Sequence, residues 1–175
     1  MEVLTAFIRE KTKIGFSDQP VHPRDDVQSA LIVILRRVYK YDQQELDLNS
    51  CYLQGANLEK AQLEHVDLSL ANLKDAILVE ANLKDANLGT SQLEHVLLSN
   101  ACLEKARLYR ADLKRADLSE ANLDQANLTG ADLRDANLIG ASLNSVNLTE
   151  AHLERANLTG ANLENADLMG ANLKN

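Results

Sequence analysis

The chain has 175 residues, of which 18 are basic and 26 acidic, and its formal net charge at pH 7 is −8. This charge repels phosphate groups, and aromatic residues make up only 3% of the chain, so we expect no direct nucleic-acid contact. No apolar run approaches the roughly 20 residues that span a bilayer, and the N-terminus lacks a secretory-signal pattern, which predicts a cytoplasmic protein without membrane contact.

The first 45 residues lack the regular pattern of the rest and predict two helices with a connector between them. Residues 3–11 have the apolar spacing of a short amphipathic helix, and glycine and proline mark the connector. Asp25 or Asp26 can cap a second helix over residues 26–40. The apolar face of this second helix includes Val27, Leu31, Ile34 and Val38.

Leucine then occupies every fifth position from Leu48 to Leu173, twenty-six times without exception. The residue two places before each leucine is nearly always alanine. An α-helix needs apolar residues at an average spacing of about 3.6, and a continuous strand needs alternation, so a sustained period of five excludes both. A strict period of this kind indicates a repeated structural unit.

Alternation does hold inside each unit, where the alanine and the leucine share a face and the residue between them points away. Each unit therefore predicts a strand of about three residues followed by a two-residue corner, with alanine and leucine inside. Asn and Asp dominate the middle position, from which their side chains can bond the local backbone. A corner with positive φ favours glycine, which recurs in the last position at Gly55, Gly130, Gly140, Gly160 and Gly170.

The motif A-[D/N]-L-x-x over residues 46–175 resembles the pentapeptide-repeat family. The resemblance implies an all-β solenoid, namely a right-handed quadrilateral β-helix with twenty residues in each coil, so that the twenty-six units give about six and a half coils. The column would then be on the order of 30 Å tall at an inter-strand spacing of about 4.8 Å. The chain would divide into an α-helical N-terminal cap and connector (1–45) and the β-helix (46–175). Repeats resembling these are abundant in cyanobacteria.

The two ends of such a column expose strand edges and core leucines. We expect the N-terminal helices to cover the first coil. The alternatives are a helix that binds a partner and a remnant of a longer multidomain protein. At the other end, Leu163, Leu168 and Leu173 are expected to be exposed in the terminal coil, which predicts a homodimer formed end to end through this surface.

Because residues twenty apart lie above one another in this fold, the column has four sides. Side 1 is centred on Leu48, side 2 on Leu53, side 3 on Leu58 and side 4 on Leu63, together with the leucines at intervals of twenty from each. Their net charges are −2, 0, −3 and −3 in that order. Side 2 interleaves acids and bases, which is typical of a solvated lattice of ion pairs.

No set of residues in the repeat converges on a catalytic arrangement. His65 and His95 are thirty residues apart and therefore on opposite sides, and His152 lies nearly three coils from His95. Cys51 takes an interior position and Cys102 an outward one, so we expect no disulfide. The sequence predicts no catalytic residue, cofactor or metal, since a convex column also lacks the concave pocket that small ligands need.

One group of outward residues departs from the repeat. On side 3, Ile77 and Leu97 replace Asn or Asp at stacked positions, Val79 lies beside Ile77, and Ile139 follows further along the column. Single exposed apolar residues are ordinary, but a cluster of three favours a protein contact site. The alternative is that this cluster packs against the N-terminal segment.

The sequence therefore predicts a rigid, non-enzymatic scaffold for protein–protein interaction, with an unknown protein as its partner. The alternative is an acidic DNA mimic that binds a DNA topoisomerase, because family members that bind this enzyme are acidic DNA mimics and sides 3 and 4 each carry −3. Lys60, Lys84 and Lys105 interrupt the acidic rows on those two sides, which disfavours the alternative.

Overall fold

The computed structural model describes residues 2–12, 25–35 and 46–174. Two helices precede the repeat, α1 (Glu2–Lys11) and α2 (Asp25–Leu35), which confirms both predicted helical segments. The predicted continuation of the second helix to residue 40, with Val38, lies outside the described residues. Neither of these two helices is long and apolar enough to cross a membrane.

From residue 46 onward, each five-residue unit contributes one β-bridged residue, between the alanine and the leucine, and then a two-residue turn. Parallel bridges join residues twenty apart, from Asp47↔Asp67 to His152↔Asn172, so four units complete one coil. This register confirms that residues twenty apart stack. It excludes a continuous helix or strand because every unit finds its hydrogen-bond partners one coil away.

The core of the column is a stack of leucines lined by small residues. Every central leucine from Leu48 to Leu153 is buried, as are the alanines of the same units. Burying one leucine contributes roughly 1.5–3 kcal/mol, so a chain with very few aromatic residues still obtains a large core by repetition. Ser91 occupies one interior alanine position and satisfies its hydroxyl by donating to the Leu88 carbonyl at 2.6 Å.

Hydrogen bonds hold successive coils together at every unit. The Leu53 amide donates to the Asn72 carbonyl at 2.7 Å, and the Asn72 amide donates to the Cys51 carbonyl at 2.9 Å. The Asn72 side-chain oxygen also accepts from the Lys74 amide at 3.1 Å, which is the local backbone bond expected of Asn and Asp in this position. The outward Asn and Asp side chains therefore fix the start of each corner.

Each corner is a tight turn with a residue in the left-handed region. The Ala56 amide donates to the Leu53 carbonyl at 3.0 Å, and Gly55 between them has a φ of 65°. The expectation of positive φ at the recurring glycines is confirmed, but the same conformation holds at every corner from Ser50 to Gly170, and twenty of these residues are not glycine. A non-glycine residue there costs on the order of 1 kcal/mol, which the bonds between coils and the leucine core must offset.

We expect the corner conformation to reverse the usual ranking of glycine and valine. Gln125 is exposed and has a φ of 59°, so Gln125→Gly should retain or raise stability, whereas the β-branched Gln125→Val should be about 1–2 kcal/mol less stable than the glycine variant. The urea midpoint of unfolding measures the difference. Thr149 lies outside the left-handed region, so Thr149→Val should be more stable than Thr149→Gly. An identical ranking at both positions would contradict this account of the corner.

The two helices pack against the first coils of the column. Ile8 of α1 and Val27 and Leu31 of α2 are buried in the same cluster as the column leucines. The Tyr52 amide donates to the Thr12 carbonyl at 2.7 Å just after α1 ends, which provides a partner for one edge residue of the first coil. Among the other predicted cap residues, the Ile34 backbone belongs to α2 but its side chain is not described.

Polar contacts from both helices add to this packing. Arg9 of α1 forms an ion pair with Asp47. The Gln28 side chain of α2 donates to the Asn57 carbonyl at 2.9 Å, and its side-chain oxygen accepts from the Asn57 amide at 3.3 Å. The side-chain amide of Gln28 thus makes the two hydrogen bonds to the Asn57 backbone that a bridged residue of a preceding coil would make.

In the terminal coil the predicted leucines differ in exposure. Leu163 and Leu168 are half-buried against the core cluster, and Leu173 is 48% exposed. The expectation of full exposure is therefore wrong for the first two, because each still packs on the leucine of the coil before it. End-to-end association through these three residues stays a prediction.

Candidate protein-interaction surface

The side 3 cluster consists of Ile77, Val79 and Leu97. Ile77 and Leu97 form a parallel bridge, which places them one coil apart in the same outward column, as the resemblance to the family implied. Leu97 is 40% exposed, and the side chains of Ile77 and Val79 are half-buried. The structure thus brings these three predicted contact residues together as one raised apolar area on the surface.

Ile139 does not belong to this cluster. It occupies the same outward column as Val79, but Ser99 and Ser119 lie between them. This order is shown by the hydrogen bonds between coils, in which amides of successive corner residues donate to the carbonyls of Val79, Ser99, Ser119 and Ile139 in turn. Three coils separate Ile139 from Val79, about 14 Å at the spacing of parallel strands. Ile139 is 40% exposed and stands alone among polar neighbours, which makes it useful as a control position.

The side 3 cluster begins one coil away from the contact with α2. Asn57, whose backbone is bonded by Gln28 of α2, forms a parallel bridge with Ile77. The cluster is therefore next to the N-terminal helices without being covered by their described residues. Further along the column, the positions above Leu97 return to the repeat pattern with Asp117.

Acidic residues surround the side 3 cluster. Glu80 and Glu120 are exposed at the corners, and Asp117 follows Leu97 in the same column. Lys60 lies 3.7 Å from Glu80 and 3.5 Å from Glu59, so one base reduces the acidity near the α2 end. The result is an apolar centre with a predominantly acidic rim.

Side 2 carries the predicted lattice of ion pairs. Lys74 and Glu94 are 3.0 Å apart, and Asp132 accepts from Arg134 at 2.6 Å and from Lys114 at 3.2 Å. Burial alone would raise the pKa of Asp132, but the hydrogen bonds from Arg134 and Lys114 outweigh it and lower this pKa to about 2. The same contact raises the pKa of Arg134. Most charges of this side are thus paired with one another, although Glu154 keeps one buried carboxylate oxygen without a hydrogen bond and Arg115 forms no ion pair with the described residues.

Asp132→Asn should lower the free energy of unfolding by about 1–2 kcal/mol at pH 7. Because the folded-state pKa lies below the ordinary value of 3.8, the stabilising contribution is complete above that value and is lost as the pH falls toward 2. Urea unfolding at several pH values should therefore show the gap between wild type and variant closing in acid. Asn122→Ser, an uncharged change at an equivalent position, should give a difference that does not depend on pH. A gap that stays constant for Asp132→Asn would contradict the assignment.

The histidines and cysteines lie where the sequence placed them. His65, His95 and His152 are exposed, and His95 lies 3.3 Å from Asp75 on the coil before it. Cys51 is buried, Cys102 is half-buried, and both are free. In the described part of the chain, no three metal-ligating side chains come together.

The concavities of the column are shallow. One of ≈250 Å³ lies over the charged lattice of side 2. Another of ≈210 Å³ lies at the corner between sides 4 and 1, where Asp85 faces Arg107. Both are lined mainly by charged side chains that bond one another or face solvent, so neither has the apolar walls of a typical small-molecule site.

Sequence reasoning missed a second apolar area, on side 1. Leu70 is 53% exposed and Tyr109 is 39% exposed, both in the two-residue corner of their units. The sequence contains a signal for them, since apolar residues are unusual at corner positions, but only those of side 3, Val79 and Ile139, were predicted as contact residues.

The sequence profile of a family described as pentapeptide repeats matches residues 45–78, 76–115, 111–149 and 136–175. Solved structures similar to the chain include HetL, a pentapeptide repeat protein involved in heterocyst differentiation regulation from the cyanobacterium Nostoc sp. strain PCC 7120, at 32% identity over 73% of this chain and 72% of that one, with a TM-score of 0.41. Rfr23, a pentapeptide repeat protein from the cyanobacterium Cyanothece 51142, is 30% identical over 77% of this chain and 95% of its own, with a TM-score of 0.44.

QnrB1, a plasmid-mediated fluoroquinolone resistance protein, is 18% identical over 62% of this chain and 61% of its own, with a TM-score of 0.31. No curated protein sequence matches the chain.

Proposed function

This chain belongs to the pentapeptide-repeat family, and we propose that it acts as a non-enzymatic, rigid scaffold for protein–protein interaction. The observation that supports this proposal most is the side 3 cluster of Ile77, Val79 and Leu97, which stack where the repeat has polar residues. Such an apolar centre with a polar rim has the composition of a protein interface. We further propose residues 46–175 as a right-handed column of about six and a half coils and residues 1–45 as its cap and connector.

The cluster replaces a stabilising local bond. Elsewhere on side 3 the outward Asn or Asp accepts from the amide two residues later, as Asn57 does from Glu59 at 3.1 Å and Asn137 does from Ile139 at 3.2 Å. An aliphatic side chain at Ile77 or Leu97 cannot accept this bond, whose net value is about 0.5–1.5 kcal/mol. The loss of this bond at two stacked positions supports a role for these two residues in contact with another molecule.

Rigidity makes the column suitable for presenting such a surface. The Leu78 amide donates to the Leu97 carbonyl at 2.7 Å, and the Ile77 amide donates to the Ala56 carbonyl at 2.9 Å, so the backbone of the cluster is fixed from both neighbouring coils. A preformed surface loses little conformational entropy on binding. Because of the acidic rim, the partner surface that fits best is apolar at its centre with basic residues around it.

Replacing Ile77 and Leu97 by Asn should leave the fold intact and abolish capture of the partner. Asn is the residue that the repeat uses in this column, and the double variant regains the two local backbone bonds. The measurement is a pull-down from the source organism with quantitative mass spectrometry, with circular dichroism to verify folding. The control is Ile139→Asn, an equally exposed aliphatic residue on the same side, which should capture the same proteins as wild type. Undiminished capture by the double variant would remove this surface from consideration.

The DNA-mimic alternative depends on the charge of sides 3 and 4, each with a net −3. On side 4, Lys84 lies 2.8 Å from Glu104 and Lys105 lies 3.6 Å from it, so the acidic row is neutralised near its middle. A continuous phosphate-like row is therefore absent from this part of the column. In a supercoiling assay with a purified topoisomerase, we expect no inhibition and no protection by the protein, and either effect would favour the alternative.

A further inference from the structure

The side 1 patch consists of Leu70, Arg107, Tyr109 and Arg110. We propose that this patch is a second docking surface, which takes an acidic protein segment carrying an aromatic or aliphatic anchor residue. The inference rests on the proposed scaffold function and adds the chemistry of a second partner to it. In each coil two corners separate side 1 from side 3, so the two surfaces lie on opposite sides of the column.

The ring of Tyr109 occupies a space that the neighbouring coil leaves open. A Cβ atom on Gly89, one coil away, would overlap the ring of Tyr109, so glycine leaves room for the ring in this position and a larger residue would require the ring to move. Gly89 has no positive φ, unlike the corner glycines, so the backbone does not require glycine at this position. The ring lies over the buried backbone of Gly89 and still exposes 39% of the residue.

Leu70 extends the apolar area across three successive coils. Its amide donates to the Gly89 carbonyl at 3.1 Å, and the Thr90 amide donates to the Tyr109 carbonyl at 2.9 Å, which ties the three segments together. Leu70 and Tyr109 are therefore about 10 Å apart along the column axis. Leu70 has a φ of 60° and is 53% exposed, a bulky aliphatic residue at a strained corner with most of its side chain facing solvent.

The two arginines of the patch are unpaired cations on an acidic protein. Among the described residues, neither Arg107 nor Arg110 forms an ion pair with a carboxylate, whereas Lys84, Arg134 and Arg155 all do. Asp67 and Asp85 line the same concavity as Arg107 without forming an ion pair with it, and the Asp67 carboxylate already accepts from Ser69 and Asn87. Both guanidinium groups are thus available to a carboxylate from another molecule.

Charge and residue type together select the partner. Tyrosine and arginine are enriched at the centres of protein interfaces, and a tyrosine side chain, with two rotatable bonds, loses little conformational entropy on binding. Two unpaired guanidinium groups favour carboxylates, which they can bind through two parallel hydrogen bonds. A nucleic acid is a poor fit because the whole chain carries −8, and Tyr109 alone provides no series of stacking rings.

The test uses the full chain and a phage-displayed library of random dodecapeptides, selected on the immobilised wild-type protein. Enriched peptides should carry Asp or Glu next to an aromatic or aliphatic residue. Synthetic fluorescein-labelled copies are then titrated by fluorescence anisotropy against Arg107→Asn/Arg110→Gly and against Tyr109→Thr. Each replacement is the residue that the same column holds one coil further on, at Asn127, Gly130 and Thr129, so both variants should fold.

We expect the Kd to rise about tenfold or more in each of these variants. The matched control is Ile77→Asn/Leu97→Asn on the opposite side, which should bind the peptides like wild type. This control separates the two proposals, because loss of the side 3 surface leaves peptide binding on side 1 unchanged. The inference is overturned if no peptide is enriched, if the enriched peptides lack acidic residues, or if they bind the side 1 variants with the wild-type Kd. It is equally overturned if light scattering shows wild-type self-association that the side 1 variants abolish, since the occupant would then be a second copy of the chain.

Discussion

The structure depends on the stacking of each leucine on the leucine twenty residues later. This contact is possible only if the chain turns at every unit, and the turn requires a left-handed residue at every corner. The unfavourable backbone conformation and the favourable burial therefore recur with the same period. One buried leucine contributes roughly 1.5–3 kcal/mol, which exceeds the cost of one non-glycine corner, on the order of 1 kcal/mol.

A core of this kind occupies the whole interior and leaves function to the outward residues. In each unit the alanine and leucine positions are committed to packing, and an Asn or Asp at the position between them bonds the corner, as Asn72 does. Departures from the pattern are therefore informative, because the repeat itself gives the residue that stability would select. Ile77, Leu97 and Tyr109 are departures of this kind, and each places apolar surface in solvent on a backbone held by the neighbouring coils.

The charged residues also differ from one side of the column to another. On side 2, acids and bases alternate and most of them pair with one another, so this side offers a partner few free charges. Side 3 presents an apolar cluster with an acidic rim, and side 1 presents an apolar patch with two unpaired arginines. A column with unlike surfaces on opposite sides is suited to holding two different proteins at a fixed separation.

The sequence by itself determined the repeat and the inside and outside positions, which follow from a period of five with alternation inside each unit. The register of twenty residues, and with it the stacking of Ile77 on Leu97, was implied by the resemblance of the motif to the family. The gap between Ile139 and the cluster also follows from the register, once the coils are counted.

Only the tertiary structure decided the rest. The structure placed the ring of Tyr109 over Gly89 and left Arg107 and Arg110 without ion-pair partners, both of which depend on the direction of long side chains. It also placed α1 and α2 against the first coil, which depends on a segment outside the repeat. Neither the direction of a side chain across coils nor the packing of a non-repeating segment recurs every five residues. A pattern of residue types therefore contains no information about them, and packing in three dimensions decides them.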